Sequence, residues 1–140
     1  MAKDTAKIVE ELQMCPNFTT FYDENKDYMT SESLSALLNK LIVEKGLHKS
    51  QVIKRSELSE VYAYQIFSGR RTPERGKLLA LAVGMTLTID EVQTLLKCAG
   101  YPQLYVKHPF DSVVLYGLSK ELSIPEINDL LFQYGLDTLG

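Results

Sequence analysis

From Ser31 onward, apolar residues recur three and four positions apart. Leu34, Leu37, Leu38, Leu41 and Ile42 make one wide stripe, which predicts a helix that Gly46 ends in a left-handed conformation. Two short helices are predicted next, near Lys49–Ser56 and near Glu60–Ser68, with Ser59 as N-cap of the second and Gly69 closing the pair. Thr72-Pro73-Glu74 reads as a helix start, a capping residue followed by proline in the first turn. That helix carries Leu78, Leu79, Leu81 and Ala82 and ends at Gly84. Thr88-Ile89-Asp90-Glu91 is a capping box opening a helix through Val92, Leu95, Leu96 and Ala99 to Gly100.

Outside this stretch the spacing is helical too. Residues from about Asp4 to Met14 carry Ile8, Val9 and Leu12 on one side, and Cys15-Pro16-Asn17 stops them. A second segment, Asn17 to about Asn25, has Phe18, Phe21 and Tyr22 as its apolar face. Towards the other end, His108-Pro109 starts a helix bearing Val113, Val114, Tyr116 and Leu118. Ser123-Ile124-Pro125-Glu126 is a second capping box, with Ile127, Leu130, Leu131 and Tyr134 behind it and Gly135 at the end. No segment alternates as a strand does and no internal repeat stands out, so the reading is all-α with about nine helices. Three blocks result: residues 1–30 as an N-terminal helical extension, 31–100 as the core, and 101–140 as a C-terminal helical extension packed on it.

Composition adds little to the fold but narrows the setting. A chain of 140 residues, 45% hydrophobic, is long enough to bury a core. Its polar start offers no secretory apolar region, and no run approaches the roughly eighteen apolar residues a membrane span needs, so a cytoplasmic protein with no membrane partner is expected. Cys15 and Cys98 read as reduced structural thiols, His48 and His108 as helix caps, and neither pair has metal-ligand spacing, so no cofactor or metal is expected.

Charge changes the picture more. The net charge is only -3, yet it is segregated. Residues 1–44 hold four Lys against eight acids, and residues 78–140 three Lys against seven. Between them, residues 45–77 hold eight Lys or Arg against Glu57, Glu60 and Glu74. A basic island between acidic flanks is what a local phosphate-binding surface looks like, although charge runs are also ordinary solvated faces.

The island coincides with the two short helices. Val52, Ile53, Leu58, Ala63 and Ile66 are their inward positions; Ala63 permits a close crossing and Leu58 plugs the turn. Such a pair is a helix-turn-helix, each member being too short to be stable alone. Lys45-Gly46-Leu47, the spacing from Leu47 to Gly69, Ile66-Phe67-Ser68-Gly69-Arg70-Arg71-Thr72-Pro73 and Met85 to Val92 together resemble the phage lambda repressor and Cro-like helix-turn-helix family, also called the XRE family, over about Leu34 to Ala99. The resemblance implies a five-helix lambda repressor-like core with additional N- and C-terminal helices. It also implies a bacterial or phage-like protein that binds double-stranded DNA by sequence and regulates transcription by occupying an operator.

Carried over by position, the resemblance makes Glu60 to Phe67 the recognition helix in the major groove. Glu60, Val61, Tyr64 and Gln65 are then its base contacts: Gln65 pairs with adenine, Glu60 accepts from cytosine, and Val61 meets a thymine methyl. Lys49, Ser68, Arg70 and Arg71 are the implied phosphate contacts, which position the protein without reading sequence. Three positions depart from the family pattern. Glu57 stands where it has glycine in the turn, so a left-handed backbone there is strained or the turn differs. His48 replaces Ser or Thr as N-cap, and Glu60 replaces Gln or Arg. Tyr62 is read as packing against neighbouring helices, and Tyr64 equally as packing or as a base contact.

No Ser–His nucleophile pattern, acid/base pair or Gly-rich phosphate loop is present, so no catalytic residue is named. The alternative to a DNA-binding regulator is a protein-interaction module, antitoxin-like or a signalling adaptor, that keeps the fold without tight DNA binding. The terminal helices either enlarge the core or provide a homodimer or partner-protein surface.

Overall fold

The structure, a computed structural model, describes residues 4–26 and 33–140, and it is all-α: nine helices and no strand among the described residues. Two compact units divide between Ser31 and Glu32. The first contains α1 (Thr5–Met14) and α2 (Phe18–Asn25), capped by Asp4 and Asn17, whose side chains accept from Lys7 N–H and Thr20 N–H. The two helices pack on each other, and Val9, Leu12, Phe18 and Tyr22 remain exposed.

The second unit holds α3 (Leu34–Glu44), α4 (Lys49–Ser56), α5 (Glu60–Ser68), α6 (Arg75–Gly84), α7 (Ile89–Cys98), α8 (Pro109–Ser119) and α9 (Ile124–Gln133). The helix expected from Ser31 is described from Leu34, with Ser33 as its cap; Ser31 itself lies outside the described residues. Residues 101–140 belong to this unit, sharing one core with α3–α7 that includes Leu104, Val114, Ile124, Ile127, Leu131 and Leu139. All five inward positions of the short pair, Val52, Ile53, Leu58, Ala63 and Ile66, are buried. No helix is long and apolar enough to cross a membrane.

Two local expectations are corrected. The Thr72-Pro73 start lies two residues early: α6 begins at Arg75 with Glu74 as N-cap, because Pro73 is buried and its carbonyl accepts the Tyr101 hydroxyl. His48 and His108 do occupy N-cap positions, but neither side chain makes a capping hydrogen bond. Gly84 closes α6 as expected, and the left-handed residue that follows is Thr86 (φ 54°). The glycine also serves a close approach. A Cβ there would lie 2.7 Å from the Val52 carbonyl oxygen and 2.9 Å from Ser56 N, so α4 and α6 cross backbone to backbone.

The absence of an internal repeat is also corrected. α6–α7 and α8–α9 are two copies of one helical hairpin, thirty-five positions apart. Left-handed Thr86 and Glu121 share φ 54°, and each is followed by a leucine, then by Thr88 or Ser123 in a capping box with Glu91 or Glu126. Leu95-Leu96 matches Leu130-Leu131 and Gly100 matches Gly135. Even the closing clasp recurs. The Gln93 side chain bonds both backbone groups of Leu104 (2.7 and 3.0 Å), and Asn128 does the same to Leu139 (2.7 and 3.3 Å). The packing is reciprocal, α6 on α9 and α7 on α8, as in an approximate two-fold relation. Apart from Ile89/Ile124 and Leu104/Leu139, identity is confined to the caps and the leucine positions, and these are generic helix features, which is why the repeat is silent in the sequence.

One buried ion pair joins the copies. Arg75 donates from both terminal nitrogens to Asp111, each at 3.0 Å, and also to the carbonyls of Pro102 and Gln103, while Tyr105 N–H donates to the same carboxylate. Burial alone would push the Asp111 carboxyl up, since its side chain is 6% exposed; the Arg75 and Tyr105 hydrogen bonds and the Arg75 charge outweigh it and hold the carboxyl below its ordinary value.

Gly84→Ala is expected to destabilise the protein by about 1–3 kcal/mol through overpacking at the α4–α6 crossing, measured by thermal or urea unfolding. A depressed carboxylate contributes stability that is fully present above the unfolded Asp value of about 3.9 and is lost as pH falls through the folded value. Asp111→Asn is therefore expected to cost about 3 kcal/mol at neutral pH, the low end for removing one partner of a buried ion pair, since Arg75 is partly exposed. The gap to wild type closes below about pH 4; a gap constant with pH would show that the Asp111 charge is not the cause.

Candidate nucleic-acid interface

The outer face of α5 is set by its two ends. At the start, the Ser59 hydroxyl accepts Tyr62 N–H (3.2 Å). At the other end Gly69 turns left-handed (φ 84°), and the Arg70 and Arg71 N–H groups both donate to the Gln65 carbonyl (3.0 and 3.2 Å). The two arginines are thereby tied to the last turn of the helix. With Ala63, Ile66 and Phe67 buried, the residues left facing outward include Glu60, Val61 (71% exposed), Tyr64 (43% exposed) and half-buried Gln65.

These side chains border an open concavity of about 700 Å³ between α3, the start of α4 and α5. Of the eight residues expected at the site it gathers seven: Glu60, Val61, Tyr64, Gln65, Lys49, Ser68 and Arg70. Arg71 is not among them. Its guanidinium lies 5.3 Å from the centre of the Tyr62 ring, with the Lys77 ammonium at 5.8 Å from the same ring. Tyr62 is half-buried and packs against the core, as the sequence reading had it, with these two cations over its ring, while Tyr64 lines the concavity.

The site also contains residues the sequence reading missed. The Asn39 amide donates to the Ser35 carbonyl and to the Phe67 carbonyl, both at 2.8 Å, pinning the end of α5 to α3. Asn39 is one of several polar residues between the stripe positions of α3, and nothing in the spacing singles it out. Phe67 supplies a ring on which the Lys49 ammonium sits, 5.1 Å from its centre, an arrangement that holds the cation at the rim. The Ser68 hydroxyl donates back to the Gln65 carbonyl (3.1 Å) and so is partly occupied by its own helix.

The basic island is smaller in space than in sequence. Lys45 pairs with Glu91 (2.8 Å) and Arg75 with Asp111, so two of the eight cations are neutralised by acids from the next block. Lys49, Lys54, Arg55, Arg70, Arg71 and Lys77 form no ion pair among the described residues. Glu57 adopts φ 58°, so the turn between α4 and α5 is left-handed with a side chain in it. Glu57, Thr86 and Glu121 are the described non-glycine residues with positive φ, and all three line one cleft of about 630 Å³ that also contains Lys54 and Arg55.

Compared with known proteins, the chain matches no family model, no curated protein and no solved structure.

Replacing Glu57 by Gly relieves the Cβ strain of the left-handed turn and is expected to raise stability by about 0.5–1 kcal/mol without moving α5. A chemical-denaturation series on the purified variant checks this, and a loss of stability would mean that the Glu57 side chain makes a contact worth more than the strain.

Proposed function

We propose that this chain is a DNA-binding transcriptional regulator of the lambda repressor/Cro-like helix-turn-helix kind, bacterial and cytoplasmic, acting by occupying double-stranded DNA. The observation that carries the reading is the convergence of seven of the eight expected contact residues around one open concavity beside α5, with cations that form no ion pair among the described residues.

In this reading α5 enters the major groove. Gln65 offers an amide donor and acceptor to the adenine edge, Glu60 accepts from a cytosine amine, Val61 packs on a thymine methyl and Tyr64 lies against the adjacent base edge. Lys49 and Arg70, both bordering the concavity, meet phosphates; Arg71 and Lys77 reach the backbone beyond Tyr62. No bond is made or broken. The effect is exclusion or recruitment of other proteins at the occupied site. Two half-sites about one DNA turn, ~34 Å, apart would serve a two-fold assembly.

The test is selection of bound duplexes from a random pool, followed by fluorescence polarisation. Affinity is expected to fall steeply with salt. Arg70→Ala and Arg71→Ala should weaken binding to every sequence alike, each reducing the salt slope by about 1. Gln65→Ala should instead relax the preference at one base pair by about 1–3 kcal/mol. If none of these substitutions alters binding, the recognition face is elsewhere. If the protein stays off random DNA at low salt but co-purifies with a stable partner, the interaction-module reading replaces this one.

A further inference from the structure

The left-handed helix ends of this chain fall into two sets. Those at Gly46, Gly69, Gly100 and Gly135 use glycine, which adopts positive φ without strain. Those at Glu57, Thr86 and Glu121 keep a side chain in that conformation and bear the strain. The division is spatial. All three side-chain-bearing ends line the cleft of about 630 Å³, and none of the four glycine ends does. Strain kept where glycine would relieve it points to a use for the side chain.

The cleft has the make-up of a small-molecule site. Its volume falls within the roughly 300–1,000 Å³ usual for such sites. Its apolar lining comes from Val83 and Leu87, from their counterparts thirty-five positions on, Leu118 and Leu122, and from Pro125. Charges of both signs join it: Lys54 and Arg55 in the last turn of α4, and Glu57 and Glu121 in the turns. None of these four forms an ion pair among the described residues, with one another or with any other group. The Glu126 carboxylate, by contrast, is taken by Ser123, whose N–H and hydroxyl donate to it (3.1 and 2.9 Å). The ends of α4, α6 and α8 also meet here, so their negative dipole ends add to the two glutamates.

We infer that this cleft binds a small zwitterion with an apolar body, of the amino-acid or dipeptide class. A purely anionic ligand meets repulsion from Glu57 and Glu121, and a purely cationic one from Lys54 and Arg55. A ligand with one carboxylate and one ammonium finds a counter-charge for each. Its carboxylate accepts from the Lys54 ammonium and the Arg55 guanidinium, its ammonium donates to Glu57 and Glu121, and its side chains cover the leucines and valine between them. The cleft shares no residue with the concavity beside α5, so the inference stands whether or not the chain binds DNA.

Isothermal titration calorimetry of the full chain with leucine and leucyl-leucine tests it. N-acetyl-leucyl-leucine and leucyl-leucinamide run alongside, each keeping the apolar body and losing one charge. At least one of the two zwitterions is expected to bind with a submillimolar Kd, and each capped form about tenfold or more weaker, the worth of one charge-assisted hydrogen bond. Glu57→Gly and Glu121→Gly are the decisive variants, because each replaces a strained residue by glycine and should stay folded. Each is expected to raise the unfolding temperature while weakening the zwitterion about tenfold or more. A residue that only shaped its turn would give the first change without the second. Lys54→Ala and Arg55→Ala should weaken the zwitterion and leave the affinity for leucyl-leucinamide, which has no carboxylate, unchanged. No binding of either zwitterion at millimolar concentration, capped forms as tight as the free dipeptide, or glycine variants that bind like wild type would each overturn the inference. Equal affinity for a longer peptide blocked at both ends would overturn it as well, making the cleft a groove for protein chain.

Discussion

The face of α5 is held where it is by two backbones meeting at Gly84. Helices of eight and nine residues, α4 and α5, are too short to persist in water by propensity alone, and the hydrogen bonds within each amount to barely two turns. What orders them is the neighbour beneath. With no side chain at Gly84, the Val52 carbonyl and Ser56 amide come within reach of the α6 main chain, and the buried Val52, Ile53, Ala63 and Ile66 fill the space around that crossing. The outward residues inherit their positions from this contact, and the Asn39 amide and the carbonyl of Gln65 fix the far end of α5 and the chain leaving it.

Much of this was legible in the residue pattern, because apolar spacing and capping chemistry are local. The ranges of α4 and α5, the two capping boxes and the inward set of the short pair follow from residues within a turn or two of one another. The illegible features are those that depend on partners distant in the chain. A glycine at a helix end reads as a cap, and only the crossing with α4 reveals that Gly84 is there for clearance. Lys45 and Arg75 count as free cations until Glu91 and Asp111, forty-six and thirty-six positions away, are found beside them. Tyr116 and Tyr134 sit on an apolar helical stripe, but a stripe does not disclose that these two rings stay exposed.

The three turns after α4, α6 and α8 share a choice that is unusual on energetic grounds. Left-handed backbone is cheapest with glycine, and Gly46, Gly69, Gly100 and Gly135 close other helices in that way. Glu57, Thr86 and Glu121 instead place a Cβ in the strained region, at a cost of about 1 kcal/mol or more each. Each is followed by a leucine and a Ser or Thr cap, so the whole turn is one repeated unit: a strained residue, an apolar plug and a cap. The buried plugs Leu58 and Leu87 and the side-chain caps Ser59, Thr88 and Ser123 offset that cost locally, which lets a carboxylate or hydroxyl occupy a position normally surrendered to glycine.

A chain built from consecutive hairpins also has a short conformational search. α4 finds α5, α6 finds α7 and α8 finds α9 by closing loops of three or four residues, and the loop-closure entropy of each step is correspondingly small. The distant pairings, α3 with α5 and α7, are then made between segments already formed rather than between random coils. Such topologies belong to the microsecond-to-millisecond class of folders, so newly made chains expose their aromatic and leucine-rich surfaces only briefly before the core closes over them.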